Sequence, residues 1–311
     1  MTEKVFLGLN KKQCKSISVF LVVLIVLINV VVLSLQEFDS ENDIDPFFTQ
    51  ESNADLSLNK KVAMFFGATS FQLERELNAH TGWVVNDLPT HLFAILDNTE
   101  NRQLCVVKTT ARAFMVMSPL LTKNRGMGKE NQHILDASSQ LNTPPHEWGA
   151  FGVQTDAAER KFGSALHSVN MFIKEVVNSE EDVVVFSSTA LRTILDKLAN
   201  VDDGILYLPF SRIIEAEDSD DWSTVDDRFY CAQGGARVAR DMLVALRSLF
   251  PSMIDSGGGA VFLDNAILAF DRVAKWNPWL VMETTHDLAE VHHQYAVALR
   301  NLAKLSATIK N

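Results

Sequence analysis

The chain has 311 residues and a formal net charge of −11, with 28 Lys and Arg against 39 Asp and Glu. Such an acidic chain is a poor nucleic-acid binder, because phosphates call for clustered Lys and Arg, and its outer part is ill suited to lying on an anionic lipid surface. Three cysteines are too few for a disulfide scaffold, while a hydrophobic content of 47% suffices for a sizeable core.

The first predicted element is a membrane anchor. Residues Ile17 to Leu35 form an uncharged apolar run whose polar side chains are Ser18, Asn29 and Ser34. About 20 apolar residues in a helix cross the hydrocarbon core, so the run just reaches. Lys4, Lys11, Lys12 and Lys15 precede it, and Glu37, Asp39, Glu41, Asp43, Asp45, Glu51 and Asp55 follow it before Lys60. Basic residues stay on the cytoplasmic side, which puts residues 1–16 inside as a stub and the rest of the chain outside. A cleavable signal would have a shorter apolar core and a small-x-small site, and Ala54 is the first alanine of the chain. Cys14 precedes the run, so a lipoprotein signal does not fit. The span has no Gly-x-x-x-Gly, Asn29 is its one strong interhelical hydrogen-bonding group, and the oligomeric state stays open. A stub of this size is too short for a signalling output domain.

Residues 36–56 read as an acidic solvated tether. Residues 57–311 read as one mostly helical domain. Helices are expected over Ser57 to His80 and over Arg102 to Met117. Residues 118–155, with Pro119, Gly126, Gly128, Pro144 and Pro145, read as a long irregular connection. Asp156 to Val177 carries an apolar stripe at Ala158, Phe162, Ala165, Leu166, Val169, Phe172, Ile173 and Val176, with Asp156 as N-cap. Val183 to Phe186 has β propensity but is too short for a sheet. Ser187 to Ala199 repeats the helical stripe.

Ser223 to Phe250 reads as a long amphipathic helix with an apolar stripe at Val225, Phe229, Ala232, Ala236, Ala239, Leu243, Leu246 and Phe250, ended by Pro251. Ser223 and Asp226 form a capping pair, and Asp226 and Asp227 suit the positive end of the helix dipole. Gly234–Gly235 permits either close packing or a bend. A flexible turn at Gly257–Gly258–Gly259 leads into a helix from Ala260 to Trp276, and the last helix spans Leu280 to Ile309. Cys105 and Cys231 fall outside the membrane, where an oxidising compartment permits a bond, but two separate small buried side chains is the favoured expectation.

Candidate chemistry is sparse. Glu283-x-x-His286 and Glu290-x-x-His293 copy an element that places two metal ligands on one helical face, but di-iron bundles take it from two helices, so a solvated face is expected. His-Glu-x-x-His, Cys-x-x-Cys, Gly-x-Ser-x-Gly, a Walker loop and a dinucleotide fingerprint are all absent from the sequence, and no cofactor is implied. Of the paired acids Asp202–Asp203, Asp220–Asp221 and Asp226–Asp227, the last lies between Trp222 and Tyr230. Two carboxylates beside aromatic rings are the outfit of glycosidic hydrolysis, but loop acids and a dipole-favoured helix start are the favoured expectation for these pairs. Trp83, Asp87 and Asp97 form a second, weaker cluster.

Gly82-Trp83-Val84-Val85-Asn86-Asp87-Leu88-Pro89, then Leu96-Asp97-Asn98, then Trp148 and Ala158 to Phe162, then Trp222 to Tyr230 with Gly234, follow one another in an order that resembles an uncharacterised bacterial membrane-anchored family, domain of unknown function 2333. That family's pattern has a doubled proline where this chain has Pro89 alone. The resemblance implies a short cytoplasmic stub, one span and a helical domain outside the inner membrane, and it brings no assigned activity or catalytic residue. The expected fold class is therefore mainly α, one N-terminal transmembrane helix followed by a helical-bundle-like periplasmic domain. The expected function is a scaffold or interaction module with an envelope protein partner, with a periplasmic glycan or peptide hydrolase using Asp226 and Asp227 as the alternative.

Overall fold

The computed structural model describes residues 15–20, 23–24, 27, 55–79, 82–85, 97–122, 130–147, 157–215, 225–255, 258–276, 278, 281 and 287–309. The chain divides into two units, Met1–Glu41 and Asn42–Asn311. In the first, residues 15–20, 23–24 and 27 are helical, with Ile17, Val19, Phe20, Val23, Leu24 and Leu27 exposed. The rest of the expected Ile17 to Leu35 span lies outside the described residues, as do most of the stub and nearly all of the tether.

The second unit is mainly helical, with no strand among the described residues. Its helices are α1 (Leu58–Leu77), α2 (Asp97–Leu121), α3 (Gln132–Leu141), α4 (Ala157–Val177), α5 (Ser188–Ala199), α6 (Tyr207–Glu215), α7 (Val225–Leu249), α8 (Pro251–Asp255), α9 (Gly259–Lys275) and α10 (Asp287–Thr308). Helix α7 is the hub and packs against α2, α9, α1 and α6; α10 lies on α9 and α5, and α4 on α1 and α3.

Local sequence sets several boundaries. The Ser57 and Ser187 hydroxyls accept from the backbone N–H of Lys60 and Ala190, capping α1 and α5. Asn131 caps α3 through the N–H of His133 at 2.9 Å. Pro251 ends α7 and also opens α8, since a first helical turn does not use the missing N–H. The core is continuous through all of these elements. Phe66 of α1 meets Phe114 of α2 edge-on at 5.2 Å and Phe172 of α4 at 5.1 Å, and Phe186 stacks on Phe250 at 3.8 Å.

Four expectations need correction. The stretch 118–155 is not a single irregular connection, because α2 continues to Leu121 and α3 occupies Gln132–Leu141, burying Ile134, Ala137 and Leu141 in a stripe too short to stand out. Helices α6 and α8 are additions of similar brevity. Cys105 and Cys231 are not separate: they form a disulfide between α2 and α7, with Cα atoms 5.0 Å apart and both side chains buried. Finally, α7 is not a one-sided amphipathic helix but is buried on nearly every face. Val183 to Phe186 forms no strand, as expected, and Val185 donates its N–H to Leu121 O at 3.1 Å. The Asp156 and Ser223 caps lie outside the described residues.

Among the described residues one helix, Asn98–Leu121 within α2, is long and apolar enough to cross a membrane. Most of it is buried inside the domain, and it carries the buried polar side chains of Arg102, Gln103, Thr109 and Thr110 against its neighbours. Those features are what an interior helix requires.

Candidate functional site

Where α1, α2 and α7 meet, the core is charged. Arg102 of α2 grips Glu76 of α1 through two parallel bonds, Nε to Oε1 at 2.8 Å and Nη2 to Oε2 at 3.1 Å. Arg237 of α7 places Nη1 3.6 Å from the same Oε1. All three side chains are at most 2% exposed. Burial by itself would raise the Glu76 carboxyl. The charge and hydrogen bonds of Arg102, with the charge of Arg237, outweigh it and hold Glu76 below its ordinary value. Burial, reinforced by Arg102, pushes the Arg237 guanidinium well down.

A second pair lies along α7. Arg240 Nε and Nη2 donate to Asp241 Oδ1 at 2.9 and 2.7 Å, and Gln72 Nε2 of α1 donates to Asp241 Oδ2 at 2.6 Å. Here burial prevails over Arg240 and Gln72, and the Asp241 carboxyl is raised. Arg240 Nη1 also reaches Asp271 of α9 at 3.5 Å. Three fully buried arginines thus face two buried carboxylates, with Asp271 at the edge. Bidentate, charge-assisted bonds of this kind fix geometry and discriminate against other helix registers more than they add net stability.

The expected site residues fall around this layer rather than together. Asp226 and Asp227 occupy the first turn of α7 and are half-buried. Asp227 Oδ1 accepts from Asn101 Nδ2 of α2 at 2.7 Å, and Asp226 Oδ1 accepts from the Asp227 N–H at 3.1 Å. Tyr230 sits one turn on, buried edge-to-face on Phe229 at 5.3 Å, and burial pushes its phenol above the usual range. Trp83 is inside the core, against Phe162 at 5.0 Å, with Nε1 donating to Pro145 O at 3.4 Å. Its segment is clasped on both sides. Gln103 accepts the Val84 N–H at 3.0 Å and donates to Gly82 O at 2.7 Å, while His146 Nδ1 meets Val85 O at 3.0 Å. The left-handed φ of 65° at Gly82 lets the chain enter this clasp.

Glu290 and His293 are exposed on α10, and Glu290 accepts from Gln294 at 2.6 Å. Among the described residues no group of three His, Cys, Asp or Glu could hold a metal ion. Asp87, Trp222, Glu283 and His286 lie outside the described residues, and Asp97 opens α2 with its side chain outside them too.

Sequence reasoning missed Glu76, Arg102, Arg237, Arg240 and Asp241. The available signal was the 3–4 spacing of Arg237, Arg240 and Asp241 in a helix otherwise built of small and apolar residues. No family model matches the chain, and neither a curated protein nor a solved structure does.

Proposed function

We infer that the chain is a single-span inner-membrane protein, anchored by Ile17 to Leu35 with its N-terminus in the cytoplasm, whose helical domain works in the periplasm as a scaffold or interaction module. The observation that carries this reading is the Cys105–Cys231 bond. Such bonds persist in oxidising compartments and are rare in the cytosol of mesophiles. The address agrees with the basic stub, the acidic residues beyond the apolar run and the exposed apolar helical residues between Ile17 and Leu27. The resemblance to domain of unknown function 2333 points the same way. A binding role is favoured over chemistry because the buried charges are committed to one another and because Asp227 is held by Asn101.

The experiment is a topology and thiol assay in intact cells. Alkaline phosphatase fused after Asn311 is expected to be active and a fluorescent protein there dark. Cys105 and Cys231 are expected to resist a maleimide in denaturant until a reductant is added. A fluorescent C-terminal fusion, or both thiols free in cells quenched with acid, overturns the reading.

A further inference from the structure

We propose that the outward stripe of α2 formed by Leu104, Lys108, Arg112 and Met115, together with Tyr207 of α6, is a docking surface for an acidic segment of a partner protein. The proposal rests on the interaction-module reading and names the chemistry of the partner.

The stripe follows from helical spacing. Around it α2 is buried, and Leu104, Lys108, Arg112 and Met115 recur every three or four residues on the one face left open. Met115 is 55% exposed and Tyr207 38% exposed. Arg112 is held in place before any partner arrives. Its guanidinium lies 4.8 Å over the Tyr207 ring, and Nη1 donates to Asp203 O at 3.2 Å and to Gly204 O at 3.0 Å. Those carbonyls belong to a fixed turn. Asn200 Oδ1 accepts from the N–H of Asp202 at 2.8 Å, and a side chain at Gly204 would collide with Asn200 O at 2.1 Å. Among the described residues the Nε and Nη2 donors of Arg112 have no hydrogen-bond acceptor. An arginine so fixed loses little freedom on meeting a carboxylate.

Lys108 lies one turn away on the same face. Among the described residues no carboxylate stands within ion-pair distance of Lys108 or Arg112. Asp203 is close enough to feel Arg112, but Lys197 holds it at 2.9 Å. Burial and the neighbouring Arg112 hold the Lys108 amine below its ordinary range. Like charges one turn apart are mildly unfavourable on a helix, and a chain of net charge −11 has carboxylates to spare for neutralising them. A partner's Asp or Glu side chains complement the two cations, and its apolar residues cover Leu104, Met115 and Tyr207. Phosphate or an anionic lipid surface fits less well, because the flanks are apolar or carry the acids Asp202 and Asp203 rather than further bases, and the whole domain is acidic.

The test uses the full chain in native membranes with a zero-length carbodiimide, which joins an amine to a carboxylate with loss of a urea. The expected result is a Lys108 amide to an acidic segment of another protein, identified by mass spectrometry. Retention of that protein should fall about tenfold in Lys108→Glu and persist in Lys108→Arg, which keeps the charge but forms no such amide. Unchanged thermal melting of both variants shows that the fold is intact. Equal retention by wild type, Lys108→Glu and Lys108→Arg overturns the docking surface and leaves the interaction reading standing. So does a Lys108 crosslink to a segment lacking acids, or displacement of the partner by inorganic phosphate or phosphatidylglycerol vesicles at physiological salt. If the wild type retains no protein, both readings fall.

Discussion

A Cβ added to Gly234 would stand 2.4 Å from the backbone oxygen of Arg102, so α2 and α7 touch main chain to main chain at this point. This resolves the Gly234–Gly235 pair in favour of close packing. The contact sits beside the Cys105–Cys231 bond and carries Arg102 to Glu76. Gly234→Ala is therefore expected to destabilise the domain beyond the gain in helix propensity, by about 1–3 kcal/mol or more, because a backbone oxygen cannot swing away. Chemical denaturation of the oxidised protein, compared with Gly163→Ala on open surface of α4, measures it. A midpoint equal to or above that of the control variant contradicts the contact.

Removing Glu76 leaves Arg102 and Arg237 facing each other in the core. Glu76→Gln keeps the shape and deletes the charge, and breaking a buried pair in this way costs about 3–5 kcal/mol. The loss should appear in the denaturation midpoint without a change in secondary structure under native conditions. The double variant Glu76→Leu with Arg102→Met is expected to recover part of it, since replacing both members of a pair spares the desolvation. No recovery in the double variant would assign the cost to packing or to the Arg237 charge left without Glu76.

Much of the helical fold was legible where burial is one-sided. Helix α5 shows Leu191, Ile194, Leu195 and Leu198 as a stripe because its other face meets water, and Ser187 announces its start. That legibility ends where the contrast between a buried and a wet face disappears. Helix α7 is buried all round, so Arg237, Arg240 and Asp241, which an apolar stripe leaves out, lie at the centre. Helices α3 and α6, of 10 and 9 residues, supply too few turns for a period to register. The charged layer joins residues from three helices far apart in the chain, and the disulfide spans 126 positions, so neither pairing has a local trace. Glu290-x-x-His293, in contrast, was legible as a solvated face because its neighbours on α10 are polar.

The disulfide closes a long loop between the two helices that hold the charged layer. Loop-closure entropy in the unfolded chain assigns such a bond about 2–5 kcal/mol. Cys105→Ala combined with Cys231→Ala should destabilise the fold by that amount and lower the melting temperature, and a reductant should reproduce the shift in wild type but leave the double variant unmoved. Because both sulfurs are buried, reduction should proceed only through opening of the domain, at a rate that rises with denaturant. Rapid reduction of the native protein by a bulky thiol would contradict that burial.

The two buried carboxylates oppose each other in their dependence on pH. Glu76 is held below its ordinary value of 4.5, so its contribution is complete above that value and is lost as pH falls through the lower folded value. Asp241 is raised above its ordinary value of 3.8, so ionising it weighs against the fold, and that penalty is relieved as pH falls through the raised value. Descending from neutrality, stability should first gain from protonation of Asp241 and then decline as Glu76 is protonated. Melting temperatures across this range are expected to show Asp241→Asn removing the early gain, whereas Glu76→Gln flattens the acid decline from a lower starting stability. If Glu76→Gln melts with the same acid dependence as wild type, the Arg102 and Arg237 charges do not set the Glu76 proton affinity, and the decline belongs to carboxylates elsewhere.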